Sequence, residues 1–240
     1  MPIAELQEAL ARHGQMLALD PPAADRLTVG EVFDGGLFGP RAHRYGRPRD
    51  LILGVTVRLA DGLVARGGGR VVKNVAGYDL PKLFTGGRGR LGELLELTVR
   101  LHPLPAATAS VVAPIGDVKP LEPLAPACVE GLWPQDLMRV RFESPAARAL
   151  AERAQALIGG EVVEDDEDLW AGHREMAVEM QMRYCPAGDS RDIAERLMED
   201  GATQVVGRVA RGWLASDVLD GARPAPTPLE SAVIVSLGSA

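Results

Sequence analysis

Two glycine-rich segments hold the residues whose types and spacing could do chemistry. Residues 27–50 contain five glycines together with Pro40 and Pro48, which predicts a loop that turns repeatedly rather than a helix or a strand. Such a loop exposes backbone N–H groups that can hold a phosphate or a flat ring. An ordinary long surface loop is about equally compatible with this composition. Four arginines add positive charge to the segment: Arg41, Arg44, Arg47 and Arg49.

The second segment lies between residues 67 and 92. Residues 73–79 combine a cation, an amide, a glycine, an aromatic ring and a carboxylate, which surface turns seldom do, although an Asn-Gly turn remains an alternative. Residues 87–92 match the pattern GxGxxG, but a dinucleotide site needs a strand before that pattern and a helix after it. Here a helix-like stretch, 79–84, precedes it and an alternating stretch, 95–101, follows it. We therefore expect a tight turn that permits close backbone approach.

Other catalytic patterns are absent from the sequence. The four histidines and two cysteines have no spacing typical of a metal site or a disulfide framework, and no GxSxG nucleophile motif occurs. We therefore predict no metal site, and each histidine is interpreted as an ordinary surface or capping residue.

Composition and charge exclude several classes of protein. A hydrophobic content of 46% is enough for a core, and no apolar run has the ~18 residues of a membrane span. The first residues lack a signal-peptide pattern, which predicts a cytoplasmic protein. The net charge is +3 over residues 1–105 and −10 over 106–240, which indicates two units. Residues 41–100 carry a net charge of +7. Aromatic residues do not alternate with these basic residues and no known nucleic-acid-binding module is recognised, so we predict no nucleic-acid binding.

Periodicity predicts the elements that would position the glycine-rich segments. We expect an amphipathic helix over 2–13, a short helix over 79–84 and a half-buried strand over 95–101. The runs 51–59 and 63–66 flank Asp-Gly and predict a hairpin.

After the prolines near residue 105, strands and helices alternate. The predicted order is β-α-β-(α)-β-α-β, which resembles a ferredoxin-like unit and makes the chain an α+β protein. Residues 221–240 are rich in proline and predict a mobile tail. The expected strands are 137–142, 161–164, 177–184 and 203–213, and the expected helices are 145–158 (capped by Ser144), 168–175 and 190–199.

The central motifs resemble a known family. The run KNVAGYDL at residues 73–80, followed by Leu83, Gly86 and Leu91-Gly92, resembles the KNVAGYDL…L..GS.GTLG stretch of a family of FAD-binding subunits of bacterial glycolate oxidase. That family belongs to the vanillyl-alcohol-oxidase-like superfamily, whose FAD domain is of the PCMH type. Residues 6–22 and 28–54 are similar to its GQML…PP and TVGG…GLSGPR…G..RD.VLG elements. Glu31 stands where the family has a second glycine, and Gly87 and Arg90 stand where it has Ser and Thr.

The resemblance implies a fold and a set of contacts. It implies part of an FAD-binding domain over residues 1–105 and a ferredoxin-like cap over 106–220. By this resemblance, FAD is the cofactor, and both glycine-rich segments line its cleft. The implied cofactor-binding residues are Thr28, Gly30, Gly36, Gly39, Gly46, Asp50, Asn74, Gly77 and Tyr78.

The resemblance also implies a function. It predicts an FAD-binding subunit of a glycolate oxidase type complex that oxidises a small 2-hydroxy acid, glycolate, to glyoxylate. The implied partners are a related FAD-binding catalytic subunit and an iron–sulfur subunit, through which the cytoplasmic chain could lie peripheral to the inner membrane. No substrate base or carboxylate clamp stands out in the sequence.

The family's chains carry a glycine-rich pyrophosphate loop upstream of the first matched element. We therefore expect the first lobe of the FAD domain to be missing here. This expectation leaves an alternative function open, a non-catalytic interaction subunit that has lost flavin binding and packs on a related flavoprotein and an iron–sulfur subunit.

Overall fold

The fold is α+β and its described residues form two compact units. The computed structural model describes residues 1–69, 79–175, 181–184, 195–196, 198–199, 205–208 and 213–216. The first unit is Met1–Leu104 and the second begins at Pro105. No helix among these described residues is long and apolar enough to cross a membrane. The predicted tail, 221–240, lies outside the described residues.

Short helices surround two small sheets in the first unit. The helices are α1 (Ile3–Ala11), α2 (Val29–Gly35), α3 (Ala42–Tyr45), α4 (Pro48–Leu51) and α5 (Leu80–Phe84). The strands are β1 (Gln15–Met16), β2 (Ile52–Arg58), β3 (Val64–Gly68), β4 (Glu93–Val99) and β5 (His102–Pro103).

The first unit's sheets confirm the predicted hairpin and strand. β2 pairs antiparallel with β3 and with β4, giving the order β3–β2–β4, and β1 pairs with β5. β2 buries Val55 and Val57, and Leu94 of β4 is buried beside Val57. The GxGxxG run lies between α5 and β4, which confirms that it lacks the context of a dinucleotide-binding motif.

The prediction of an irregular loop over residues 27–50 is wrong. This segment forms α2, α3 and α4, because each of its turns closes through local hydrogen bonds. Glycine and proline lie at the ends of these helices, where they terminate or begin a helix: Gly36 and Gly46 are C-caps and Pro48 is the first residue of α4.

A seven-stranded antiparallel sheet forms the second unit. Its order is β10–β12–β11–β7–β8–β6–β9. The strands are β6 (Thr108–Pro114), β7 (Cys128–Trp133), β8 (Leu137–Glu143), β9 (Glu161–Glu164), β10 (Gln181–Tyr184), β11 (Val205–Arg208) and β12 (Trp213–Ser216). The helices are α6 (Ala147–Ile158) and α7 (Glu167–Glu175), with a 3₁₀ turn at Lys119–Leu124.

The sequence predicts β8, α6, β9 and α7 but misses β6 and β7. β8 and β9 both pair with β6, so the predicted β-α-β unit is a split one with β6 between its strands. The single strand expected over 203–213 is wrong, because β11 and β12 pair antiparallel. The expected Ser144 cap is also wrong, since α6 has Ala146 at its N-cap. The predicted helix over 190–199 lies largely outside the described residues.

Candidate functional site

Thr28 begins α2 and uses its hydroxyl to cap that helix. Glu31 N donates to Thr28 Oγ1 at 3.2 Å, and Thr28 N donates back to Glu31 Oε2 at 2.8 Å. This reciprocal pair is a capping box, which satisfies two of the free N–H groups at the start of the helix. The structure therefore gives Glu31, a departure from the family pattern, a local role, while Gly30 is buried inside the same helix.

The two glycine-rich segments meet at the C-terminal end of α2. Gly86 N donates to Phe33 O at 2.9 Å, and Arg88 N donates to Asp34 O at 3.0 Å. The buried Asp34 carboxylate also accepts from Gly89 N at 3.0 Å. We call this contact between residues 33–36 and 86–89 the glycine joint.

The glycine joint depends on the absence of side chains. Gly36 ends α2 at φ 65°, in the left-handed region. A Cβ on Gly36 would come within 3.3 Å of Gly86 Cα, so the two backbones approach directly. Close approach in a tight turn, as predicted for residues 87–92, is what the structure shows.

Two other predicted glycines pack against aspartates of their own unit. A Cβ on Gly39 would lie 1.8 Å from Asp20 O, and the Asp20 carboxylate accepts from Arg41 N at 3.1 Å. Gly46 has φ 89°, and a Cβ there would lie 2.7 Å from Asp50 Cβ. Asp50 in turn accepts from Arg47 N at 2.8 Å.

The expectation that segment 27–50 exposes many backbone N–H groups is wrong. Donors from Ala42 to Gly46 bond to carbonyls of residues 39–42, and Arg41 N and Arg47 N bond to carboxylates. Open space lies instead at Gly69 and Gly86, where a Cβ would meet no described atom within 4 Å. The chain itself fills the space at Gly39 and Gly46.

Basic and aromatic side chains adjoin the glycine segments. The Arg47 guanidinium lies 5.1 Å from the centre of the Phe38 ring, and that of Arg44 lies 5.7 Å from the Tyr45 ring. Tyr45 also makes an edge-to-face contact with His102, with ring centres 5.0 Å apart. Burial and, after it, the charges of Arg100 and Arg44 hold the pKa of His102 below its ordinary value.

The structure describes six of the nine predicted site residues. Thr28, Gly30 and Gly36 lie on or beside α2, whereas Gly39, Gly46 and Asp50 lie along the following short helices. Asn74, Gly77 and Tyr78 lie outside the described residues. Contact of any of these residues with a flavin stays a prediction.

Two residues important to this region were missed from the sequence. Asp34 reads as an Asp-Gly-Gly turn signal, and nothing local pairs it with residue 89. Gln7 lies on the predicted amphipathic helix, but its side chain bonds to the backbone of Leu17 and Leu19 at 2.5 to 3.1 Å. Both are long-range contacts that periodicity does not reveal.

Comparison with known families identifies a domain at the start of the chain. Residues 1–68 match the family model of an FAD binding domain. This range contains α1 to α4, β2 and the first glycine-rich segment.

The sequence is similar to glycolate oxidase subunits and to D-lactate dehydrogenases. It is 35% identical to glycolate oxidase subunit GlcE of Escherichia coli over 169 residues, which cover 68% of this chain and 48% of the relative. It is 36% identical to glycolate oxidase subunit GlcD of Bacillus subtilis over 45% of this chain and 23% of the relative. It is 34% identical to a mitochondrial D-lactate dehydrogenase (cytochrome) of Saccharomyces cerevisiae, over 55% of this chain and 22% of the relative. The chain thus spans half or less of the length of these relatives.

Solved structures share the fold. Alkyldihydroxyacetonephosphate synthase matches 90% of this chain and 55% of its own, with a TM-score of 0.65 at 14% identity. The grass pollen allergen Phl p 4, described with glucose dehydrogenase activity, matches 85% of this chain and 50% of its own, with a TM-score of 0.58 at 16% identity. These likenesses confirm the α+β fold expected from the sequence.

Proposed function

We propose that this chain belongs to the vanillyl-alcohol-oxidase-like FAD-binding flavoproteins and serves as an FAD-binding subunit in the oxidation of a small 2-hydroxy acid. The match of residues 1–68 to an FAD binding domain carries the proposal. The similarity to two glycolate oxidase subunits and to D-lactate dehydrogenases supports the substrate class. Glycolate is the substrate we propose, and a related flavoprotein subunit and an iron–sulfur subunit are the partners.

The chain's own part is to hold and orient the flavin. When bound, FAD supplies the acceptor for the electron pair and hydrogen that leave the α-carbon of the hydroxy acid. The glycine joint fixes the position of Gly86, and the open space at Gly86 and Gly69 gives a flat ring room to approach the backbone. The excess of basic side chains over residues 41–100 favours an anionic cofactor.

The visible spectrum of the purified chain tests the proposal. The full chain is expressed alone and with its neighbouring subunits, and the spectrum is recorded after gel filtration. We expect a flavin spectrum that travels with the protein and bleaches when glycolate is added to the complex. A colourless protein in both preparations would overturn the proposal.

A pair of glycine variants locates the cofactor. Gly86 and Gly62 both have a positive φ, of 78° and 85°, and both have open space at the Cβ position. Gly86→Ala and Gly62→Ala therefore carry a similar backbone strain, but only Gly86 adjoins the glycine joint. We expect flavin content to fall in Gly86→Ala and to stay unchanged in Gly62→Ala. Equal flavin content in both variants would place the cofactor elsewhere.

A further inference from the structure

The two faces of the second unit's sheet differ in chemistry. One face packs on α6 through a core of apolar side chains, among them Val111, Val140 and Phe142 together with Ala151 and Ala154. On the other face, β6, β7 and β8 place hydroxyl, guanidinium and carboxylate groups. The residues of this polar face are Thr108, Ser110, Glu130, Arg139, Arg141 and Glu143.

Three groups of the polar face hold one carboxylate. Asp166 Oδ1 accepts from Thr108 Oγ1 at 2.9 Å and from Arg141 Nη2 at 2.8 Å, and its Oδ2 accepts from Ser110 Oγ at 2.6 Å. Ser110 and Asp166 are fully buried, and the Arg141 side chain is 5% exposed. Two hydroxyls and a guanidinium thus form a built receptor for a carboxylate, filled by a residue of the same chain.

The segment that carries Asp166 covers the polar face through polar contacts. Glu167 Oε1 lies 2.5 Å from Arg141 Nη2, although its side chain is 67% exposed. Arg139 donates to Leu169 O, and Trp170 Nε1 donates to Ser110 Oγ at 2.9 Å. We call residues 165–170 the cover. Its main apolar attachment is the buried Trp170 ring, whose centre lies 4.5 Å from the Arg139 guanidinium. The other attachments exchange protein hydrogen bonds for water when they open, so lifting the cover exposes less apolar surface than lifting α6 would.

The charges around Arg141 favour exchange of the cover for a ligand. Glu143 Oε1 lies 3.8 Å from Nη1, so with Asp166 and Glu167 three carboxylates face one guanidinium. Arg141 Nε is buried and has no hydrogen-bond partner among the described residues. Lifting the cover removes two carboxylates and leaves the two hydroxyls and the guanidinium vacant. One free carboxylate in their place restores hydrogen bonds with less mutual repulsion.

We propose that residues 165–170 are a releasable cover, and that Thr108, Ser110 and Arg141 beneath it form a binding site for a small carboxylate that Asp166 occupies in the closed state. The site lies wholly within the second unit. The proposal goes beyond the proposed function and does not depend on it, because its readouts use the flavin-free chain.

Hydrogen exchange of the full chain tests the cover. We expect the amides of α7 to exchange at least about tenfold faster than those of α6, because α7 opens without global unfolding. Asp166→Asn keeps the shape but weakens the acceptor, so it should speed exchange in α7 and leave α6 unchanged. If Asp166→Asn does not fold, Glu167→Gln provides the same test, because its side chain is exposed. Glu152→Gln is the matched control, since it removes an exposed ion pair with Arg148 on α6.

Added carboxylates test the binding site in the same assay. Sodium acetate and sodium glycolate should speed exchange in α7 with a saturable dependence on concentration, whereas sodium chloride at equal ionic strength should not. The effect should appear at lower concentration in Glu167→Gln. Exchange of α7 and α6 at one common rate would overturn the cover, and equal effects of acetate and chloride would overturn the carboxylate site.

Discussion

The glycine joint of the first unit and the polar face of the second hold distant segments together by different means. In the joint, backbone N–H groups of residues 86–89 bond to Phe33 O, Asp34 O and the Asp34 carboxylate, and two glycines touch without side chains. On the polar face, side chains of β6 and β8 bond to Asp166, and Trp170 of α7 bonds to Ser110 of β6. Backbone contact leaves no room for adjustment, whereas side-chain contacts can break and re-form. We therefore expect substitutions to act through sterics in the first region and through unpaired polar groups in the second.

The largest effect is expected where the backbone of the first unit is most crowded. Gly39→Ala puts a Cβ 1.8 Å from Asp20 O, so the chain must move and the bond from Arg41 N to Asp20 is lost. We expect a loss of about 3 kcal/mol or more in the free energy of unfolding, measured by urea denaturation. Gly69→Ala is the control, because a Cβ there meets no described atom within 4 Å. Equal stability of the two variants would contradict the steric account.

A substitution on the polar face should lower the free energy of unfolding by less, and its effect should stay local. Ser110→Ala removes the acceptor of Trp170 Nε1 and a donor to Asp166, and both partners are buried. Leaving Trp170 Nε1 without this acceptor and Asp166 Oδ2 without this donor should cost about 1–3 kcal/mol. Hydrogen exchange should show the loss in α7 and not in α6. Ser144→Ala is the control, since the Ser144 hydroxyl accepts from the exposed Ala146 N. An equal loss of protection from hydrogen exchange in α6 and α7 would show that the polar face opens together with the rest of the second unit.

The same contrast explains how much could be predicted from the sequence. Local signals found the hairpin of β2 and β3, the tight turn at 87–92 and most elements of the second unit. They missed β6 and β7, and they took α2 to α4 for a loop, because glycine and proline at helix ends look like breakers when each helix is only one or two turns long. The contact of Asp34 with Gly89 and that of Asp166 with Ser110 each join residues more than 50 positions apart. No local pattern encodes such pairs.

A smaller effect is expected at the start of α2, where a side chain does support the first unit. Thr28→Ala removes the hydroxyl that caps Glu31 N and should cost about 1 kcal/mol in the free energy of unfolding. Thr28→Ser keeps the hydroxyl and serves as the matched variant, with most of the stability retained in urea denaturation. If alanine and serine behave alike, the capping box adds nothing and the joint holds α2 by itself.

The smallest effect is a pH dependence at His102, which makes a side-chain contact in the first unit. Burial, then Arg100 and Arg44, hold its pKa below the ordinary value of 6.5, so the folded chain disfavours the protonated ring. As the pH falls below about 6.5, the unfolded chain therefore binds more protons than the folded chain. The stability that depends on a neutral His102 ring is fully present above that pH and is progressively lost below it. His102→Gln should flatten the fall in stability between neutral and mildly acidic pH, as measured by thermal unfolding across that range. His13→Gln, at an exposed histidine, is the control. An identical pH profile in both variants would mean that the first unit responds to pH through groups other than His102.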